Sequence, residues 1–291
     1  MPSPSLSSSR PRLLIVGGSG RLGRLIAAAW ARAPEGPPVT PIWQARRDLG
    51  LGGPIFGPLE APEAFARACA QSDAVLFLAG RINGPPAALE INVALARAAR
   101  AQALSAGVPL IMASSAAVYG RGAGLLSETA PCAPLNDYGR SKLAVEAVLE
   151  GMARGCALRI GNVAGADALL GAPAPPEVRK LHVFADGSAP RRSYIGPSAL
   201  ADAVAHLACL AVAQPETLPA CLNLAQPGAV GMDELLSAAG ESWSAQPAPP
   251  TAIAHVELDV TRAVNLGLVA PAPLDAQAMV EDMQRVKQEI Q

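Results

Sequence analysis

Tyr138 and Lys142 stand four residues apart in the run Tyr138-Gly139-Arg140-Ser141-Lys142, so on a helix they share one face. An ammonium beside a phenol lowers the phenol's pKa and fits it for proton transfer near neutral pH, which is acid–base chemistry rather than packing. Far upstream, the run Gly17-Gly18-Ser19-Gly20-Arg21-Leu22-Gly23 carries a second chemical signal. Gly17 permits a tight turn, Gly20 lets backbone approach a pyrophosphate, and Gly23 lets a following helix pack on its strand, with the helix N-terminus favouring the anion. The competing reading is a glycine loop that merely reverses the chain. A proton-transfer pair and a dinucleotide cradle together point to nicotinamide redox chemistry.

Such groups need a scaffold that brings them to one edge. Leu13-Leu14-Ile15-Val16 is an apolar run of the kind buried on both faces of a parallel sheet, and Arg24-Leu25-Ile26-Ala27-Ala28-Ala29-Trp30 after the glycines is helix-forming. Similar patterns predict strands near 12–17, 39–44, 74–79, 108–113 and 156–161. Helices are predicted near 21–33, 61–70, 86–106 and 137–152, each long enough to cross between parallel strands. The expected fold is α/β, a Rossmann-type doubly wound parallel sheet with a small interleaved C-terminal substrate lobe. A dinucleotide-binding domain is expected over 12–165. Residues 166–291 are expected to form the substrate-binding lobe, interleaved with the last sheet elements. In that half the pattern loosens into Gly171-Ala172-Pro173-Ala174-Pro175-Pro176, a short strand near 181–184, a helix near 198–213 and a Pro-rich loop at 246–250.

Composition narrows the class. With 291 residues, 51% hydrophobic and 16% charged, the chain can bury a substantial core. Lys plus Arg number 23 against 24 Asp plus Glu, so nothing in the balance calls for nucleic acid or an anionic membrane. Cys69, Cys132, Cys156, Cys209 and Cys221 are scattered and odd in number, which argues against a disulfide framework or a zinc site and for reduced thiols in the cytoplasm. His182, His206 and His255 form no ligand pattern, so no metal is expected. Met1 to Ser9 read as a flexible tail, not a secretory signal. The Ala-rich stretch 87–106 carries Glu90, Asn92, Arg97 and Arg100, which suits a packed soluble helix rather than a membrane span.

Further runs tie these features to one family. The glycine turn, the strand Asp73-Ala74-Val75-Leu76-Phe77-Leu78-Ala79-Gly80, and Asn92 in Ile91-Asn92-Val93 are followed by Ala113-Ser114-Ser115-Ala116-Ala117-Val118-Tyr119-Gly120. Then come Tyr138 to Lys142 and Leu158-Arg159-Ile160-Gly161-Asn162-Val163-Ala164-Gly165. In this order the chain resembles the extended short-chain dehydrogenase/reductases, also called the NAD(P)-dependent epimerase/dehydratase family. The resemblance implies that Ser115 hydrogen-bonds the reacting oxygen, Tyr138 gives or takes its proton, and Lys142 holds the nicotinamide ribose while stabilising the phenolate. It also places Gly17, Gly20, Arg21, Leu22, Gly23, Ala79, Gly80 and Asn92 along the cofactor. Arg81, Ser115, Asn162 and Arg192 fall on the substrate side. Gly57-Pro58-Leu59 stands where the family often has an acid against adenine; Pro58 cannot make that contact, and Leu59 is kept among the cofactor-side residues.

Which cofactor and which substrate are read from the departures. After Val39-Thr40-Pro41-Ile42-Trp43-Gln44-Ala45 no Asp or Glu is present to grip the adenosine ribose, and Arg46 and Arg47 follow, whose guanidinium forks suit a 2′-phosphate; NADP is favoured, with NAD as the alternative. Dehydratases of the family carry an acidic pair just after the catalytic hydroxyl residue, but here Ala116 and Ala117 stand there, which argues against water elimination. The expected activity is therefore an NADPH-dependent carbonyl reductase or alcohol dehydrogenase on a sugar-like or other polar carbonyl compound. An NAD(P)-dependent sugar or nucleotide-sugar epimerase is the alternative, and a non-catalytic cofactor-binding module is the alternative of another class. Arg192, in the run 186–195, is a candidate for a substrate anion or else a surface arginine. By the family's habit the Ala-rich helices at 86–106 and 137–152 predict a homodimer, although each could equally pack only on its own sheet.

Overall fold

The structure is a computed structural model and describes residues 10–48, 50–122, 124–171, 178–273 and 275–290. The expected tail at Met1 to Ser9 and most of the segment from Gly171 to Pro176 lie outside the described residues. The chain runs β1 (Arg12–Val16), α1 (Arg21–Arg32), β2 (Thr40–Gln44), α2 (Pro62–Ala70), β3 (Ala74–Phe77), α3 (Pro86–Leu89), α4 (Ile91–Ala106), β4 (Leu110–Ser115), β5 (Leu125–Leu126), α5 (Asp137–Val148), β6 (Gly155–Ile160) and β7 (Asn162–Val163). It continues through β8 (Arg179–Val183), β9 (Arg191–Arg192), β10 (Tyr194–Ile195), α6 (Pro197–Ala213), β11 (Cys221–Leu224), β12 (Val230–Gly231), α7 (Met232–Ala238), β13 (Trp243–Pro247), β14 (His255–Leu258), α8 (Thr261–Asn265) and α9 (Ala276–Lys287).

The alternating apolar runs do form a doubly wound parallel sheet, in the order β11-β6-β4-β3-β1-β2. β1 and β3 are almost wholly buried because helices cover both faces, which is why their sequences read as apolar runs, and β6 is buried along its length although it carries Arg159. One face packs under α1 and α6, with Leu13, Ile15, Leu76, Ile111 and Leu158 in its core. On the other, Leu14, Val16, Val75, Phe77 and Met112 meet α2, α4 and α5. Trp30 of α1 donates its indole N–H to the carbonyl of Ala201 at 3.2 Å and fixes α1 against α6.

Some boundaries differ for identifiable reasons. The helix expected over 86–106 is two pieces, since Pro85 and Pro86 start a short turn and α4 begins anew at Ile91. The proline loop expected at 246–250 begins inside β13, whose Gln246 and Pro247 pair with His182 and Val183 of β8. The sixth strand, β11, was not anticipated, and it extends the sheet beside β6 from the far part of the chain. Among the described residues no helix is long and apolar enough to cross a membrane, and no group of three or more metal-capable side chains stands together.

Candidate active site

Strand ends and helix starts converge along the C-terminal edge of β1, β3 and β4. The glycine turn leaves β1 there. A Cβ on Gly17, whose φ is +95°, would stand 2.7 Å from Ala79 N, and one on Gly23 would stand 2.5 Å from the Gly18 carbonyl oxygen. The turn thus lies flush on the end of β3, and α1 starts close over the turn. No side chain caps α1 and no acid occupies its first turn, so its leading N–H groups face outward beside glycine backbone. A cradle of this shape could hold a dinucleotide pyrophosphate on the backbone of Gly20, Arg21 and Leu22.

Gln44, at the end of β2, has a role that its place in the sequence does not reveal. Its side chain is 1% exposed, its Oε1 accepts from Gly17 N at 3.0 Å, and its Nε2 donates to the Phe56 carbonyl. A neutral amide therefore braces the glycine turn where a carboxylate would grip a ribose. Arg46 and Arg47 are exposed just beyond it, and Leu59 lies exposed on the loop after Phe56.

Ser115 ends β4, and Asn136 caps α5 by accepting from Gly139 N at 2.7 Å. Gly139 lets that helix sit against the turn after Ser115, since a Cβ there would be 2.6 Å from the Ala117 carbonyl oxygen. Tyr138 is delivered beside Ser115 by this close approach. Lys142, 7% exposed, donates from Nζ to the Ala113 carbonyl at 2.8 Å and stands 5.9 Å from the Tyr138 ring centroid. Asn92 joins the cluster from α4. Its Oδ1 accepts from Arg81 N at 2.7 Å, and its Nδ2 donates to the Arg81 carbonyl at 2.9 Å and to Ser141 Oγ at 2.8 Å. Asn92 thus ties the loop after β3, with Gly80 and the exposed Arg81, to the helix that carries Tyr138.

The expectation that Lys142 draws the Tyr138 phenol downward needs correction. Burial pushes Tyr138 up, and the opposing pulls come from the Ser115 hydroxyl and the Arg21 guanidinium. Burial also brings Lys142 down to about 8, while the Glu146 carboxylate one turn on pulls it back up. An ammonium with that pKa is charged below pH 8 and loses its charge above it. If the charge serves catalysis, kcat/KM should fall on the alkaline side with a midpoint near pH 8, which initial rates between pH 6 and 10 would reveal. A rate flat through pH 10 would remove the charge of Lys142 from the mechanism.

Two expected substrate residues are placed differently from the rest. Asn162 pairs its backbone with Ser193 and stands at the start of β7, half-buried at the rim. Arg192 is spent largely on its own chain: Nη1 donates to the carbonyls of Arg191 at 2.7 Å and Ala254 at 3.2 Å, and Nη2 to that of Ile253 at 2.6 Å. It fastens β9 to the segment before β14 and is not displayed as a free anion clamp.

Beneath the cluster lies a polar network that sequence reasoning missed. Arg159 and Glu146, 8% and 10% exposed, form a two-pronged pair with Nη2 to Oε2 at 2.7 Å and Nε to Oε1 at 3.0 Å. Arg159 Nη1 also donates to Tyr119 Oη at 2.9 Å, and Tyr119 donates onward to Asn223 Oδ1 at 2.6 Å. Ser114, next to Ser115, donates to Glu146.

Comparison with known proteins places the chain in a family. The profile of the NAD dependent epimerase/dehydratase family matches residues 13–182. A UDP-glucose 4-epimerase of Azospirillum brasilense is 33% identical over 180 residues, covering 55% of this chain and 51% of that protein. The matched part thus spans about half the length of this curated relative. Among solved structures, a short-chain dehydrogenase/reductase superfamily protein from Agrobacterium tumefaciens with bound NAD superposes with a TM-score of 0.73 at 20% identity, over 96% of this chain and 98% of that one. A UDP-glucose 4-epimerase from Stenotrophomonas maltophila, with bound NAD and formylated UDP-arabinopyranose, gives 0.72 at 22% identity over 96% and 98%. At these identities the structural likeness is one of fold.

Proposed function

We propose that this chain, which belongs to the NAD dependent epimerase/dehydratase family, is an NAD(P)-dependent epimerase that oxidises one carbon of a sugar and reduces it again from the opposite face. Its likeness to a UDP-glucose 4-epimerase supports this reading over a reductase, and the observation that carries it over a dehydratase is the singleness of the acid–base group. Tyr138 stands beside Ser115, and the next two positions are Ala116 and Ala117, whose methyl groups move no protons. Elimination of water needs an acid and a base around the ketone, whereas removal and return of one hydroxyl proton needs one group used twice. Tyr138 takes the proton of the reacting hydroxyl as that carbon is oxidised and returns it once the sugar has turned over. Ser115 holds the same oxygen by a hydrogen bond in both directions. Lys142, fixed on the Ala113 carbonyl, keeps positive charge within reach of the phenolate. The bound nicotinamide supplies the hydride acceptor and donor at its C4 carbon.

NAD is the proposed principal cofactor, since the solved proteins of like fold named above hold NAD. Exposed Arg46 and Arg47 lend affinity for NADP. They also favour the second reading, a reductase with freely exchanging NADPH. UDP-hexoses are the first substrates to test, because the curated relative is a UDP-glucose 4-epimerase. Incubated separately with UDP-glucose and with its C4 epimer, the protein should bring both to the same mixture by proton NMR without net change in nicotinamide absorbance. Steady consumption of NADPH on polar carbonyl compounds, with no interconversion of the sugars, would establish the reductase instead.

A further inference from the structure

Arg21 opens α1 directly after the glycine turn, yet its side chain leaves that helix. Nη1 donates to the carbonyl of Ala166 at 2.8 Å, across 145 positions of sequence. The strand order gives this bond its meaning. Arg21 follows β1, Ala166 follows β6 and β7, and in the sheet β3 and β4 lie between β1 and β6. Three strand spacings, roughly 14 Å, separate the two anchoring strands. The arginine and the Ala166 loop therefore meet over the C-terminal ends of β3 and β4, in the crevice where the order of strands reverses and open α/β sheets take their ligands. Tyr138 places the guanidinium on the same side, because burial raises that phenol and Arg21 is one of the groups that pull it back down.

The two ends of the bridge differ in firmness. Ala166 N and Asp167 N both donate to the Val163 carbonyl, at 3.0 and 3.1 Å, and Asp167 accepts the Tyr194 hydroxyl at 2.7 Å. Lys287 of α9 adds a bond from Nζ to the Leu170 carbonyl at 2.7 Å. The loop is thus tied down on several sides. Arg21 is exposed, and the Ala166 bond engages one of its five N–H groups. A guanidinium so placed can keep a carbonyl on one edge of its fork and offer the other edge to a phosphate oxygen.

We propose that Arg21 is a latch on the nucleotide: by bridging the glycine turn and the loop after β7 across the crevice, it sets how long the cofactor stays bound. This rests on the epimerase reading and deepens it, since an epimerase keeps one nicotinamide through two hydride transfers whereas a reductase must exchange it at every turnover.

Release rates test the latch without any sugar substrate. Wild-type protein, Arg21→Met and Arg21→Lys would each be loaded with NADH, and separately with NADPH, then mixed with excess NAD while the loss of bound nicotinamide fluorescence is followed by stopped flow. Both variants should release nucleotide about tenfold faster or more, as loss of a charged hydrogen bond implies, with a smaller change in association rate. Release from Arg21→Met within about twofold of wild type would overturn the latch. So would an acceleration confined to Arg21→Met with Arg21→Lys unchanged, because charge rather than the bridge would then hold the nucleotide. A wild-type protein that bound neither nucleotide would remove the epimerase reading and the latch with it. Normal binding with unchanged release would remove the latch alone.

Discussion

Tyr138→Phe should lower turnover by about 10²–10⁴-fold, the usual contribution of a positioned acid–base group, while nucleotide affinity stays within about twofold. The expectation follows from what each atom does. The ring fills space at the start of α5, 5.9 Å from Lys142 Nζ, and phenylalanine keeps that ring. The hydroxyl hydrogen-bonds Ser115 and, in the proposed reaction, meets the reacting oxygen. Loss of the hydroxyl thus removes the proton carrier without disturbing the Gly139 contact that seats the helix on the Ser115 turn. Kinetics with the interconverting sugar pair, together with a nucleotide titration, would separate the two effects. Turnover within a few-fold of wild type would take proton transfer away from Tyr138, and a parallel collapse of nucleotide binding would make its role structural.

The main features of this site are written locally in the chain, which is why they are legible. The run from Leu13 to Gly23 encodes strand, turn and helix in eleven consecutive residues, and the four-residue spacing of Tyr138 and Lys142 encodes a shared face. The recognition of the family rests on such runs. What was not legible depends on partners far away. Gln44 looks like an ordinary polar residue at a strand end until folding puts Gly17 N on its side-chain oxygen. Arg159 and Glu146 interrupt apolar patterns and find each other across 13 positions, while Tyr119 finds Asn223 across 104. β7, β9, β10 and β12 are two-residue strands with no period to detect. α9 is different, since Met279, Val280, Met283 and Val286 recur at helical spacing and could have been read. Four-residue spacing places the Lys142 ammonium near the Tyr138 ring, but only the fold shows Lys142 turned to the Ala113 carbonyl and the half-buried phenol pushed up by its loss of solvent.

The largest expected effect on stability belongs to the Arg159–Glu146 pair. At 8% and 10% exposure the two charges have little water to fall back on, so each depends on the other and on Tyr119 and Ser114 for solvation. Removing one partner strands the other, and such losses cost about 3–5 kcal/mol, against about 0–1 kcal/mol for an exposed pair. Total stabilities are about 5–15 kcal/mol, so Arg159→Met alone should remove a large fraction and lower the melting temperature by on the order of 10 °C. Replacing both residues by methionine should be much milder than either single change, since no unpaired charge is left behind. Urea unfolding of the two singles and the double provides the comparison; single changes costing under about 1 kcal/mol would show the pair to be no better than a surface one. Glu146 also reaches the chemistry, because its carboxylate is the group that pulls Lys142 back up against the pull of burial. Glu146→Gln keeps the shape and removes the charge, so any remaining activity should lose its alkaline limb at a lower pH than in the wild type. A scaffold defect alone would lower the rate at every pH and leave that midpoint where it was.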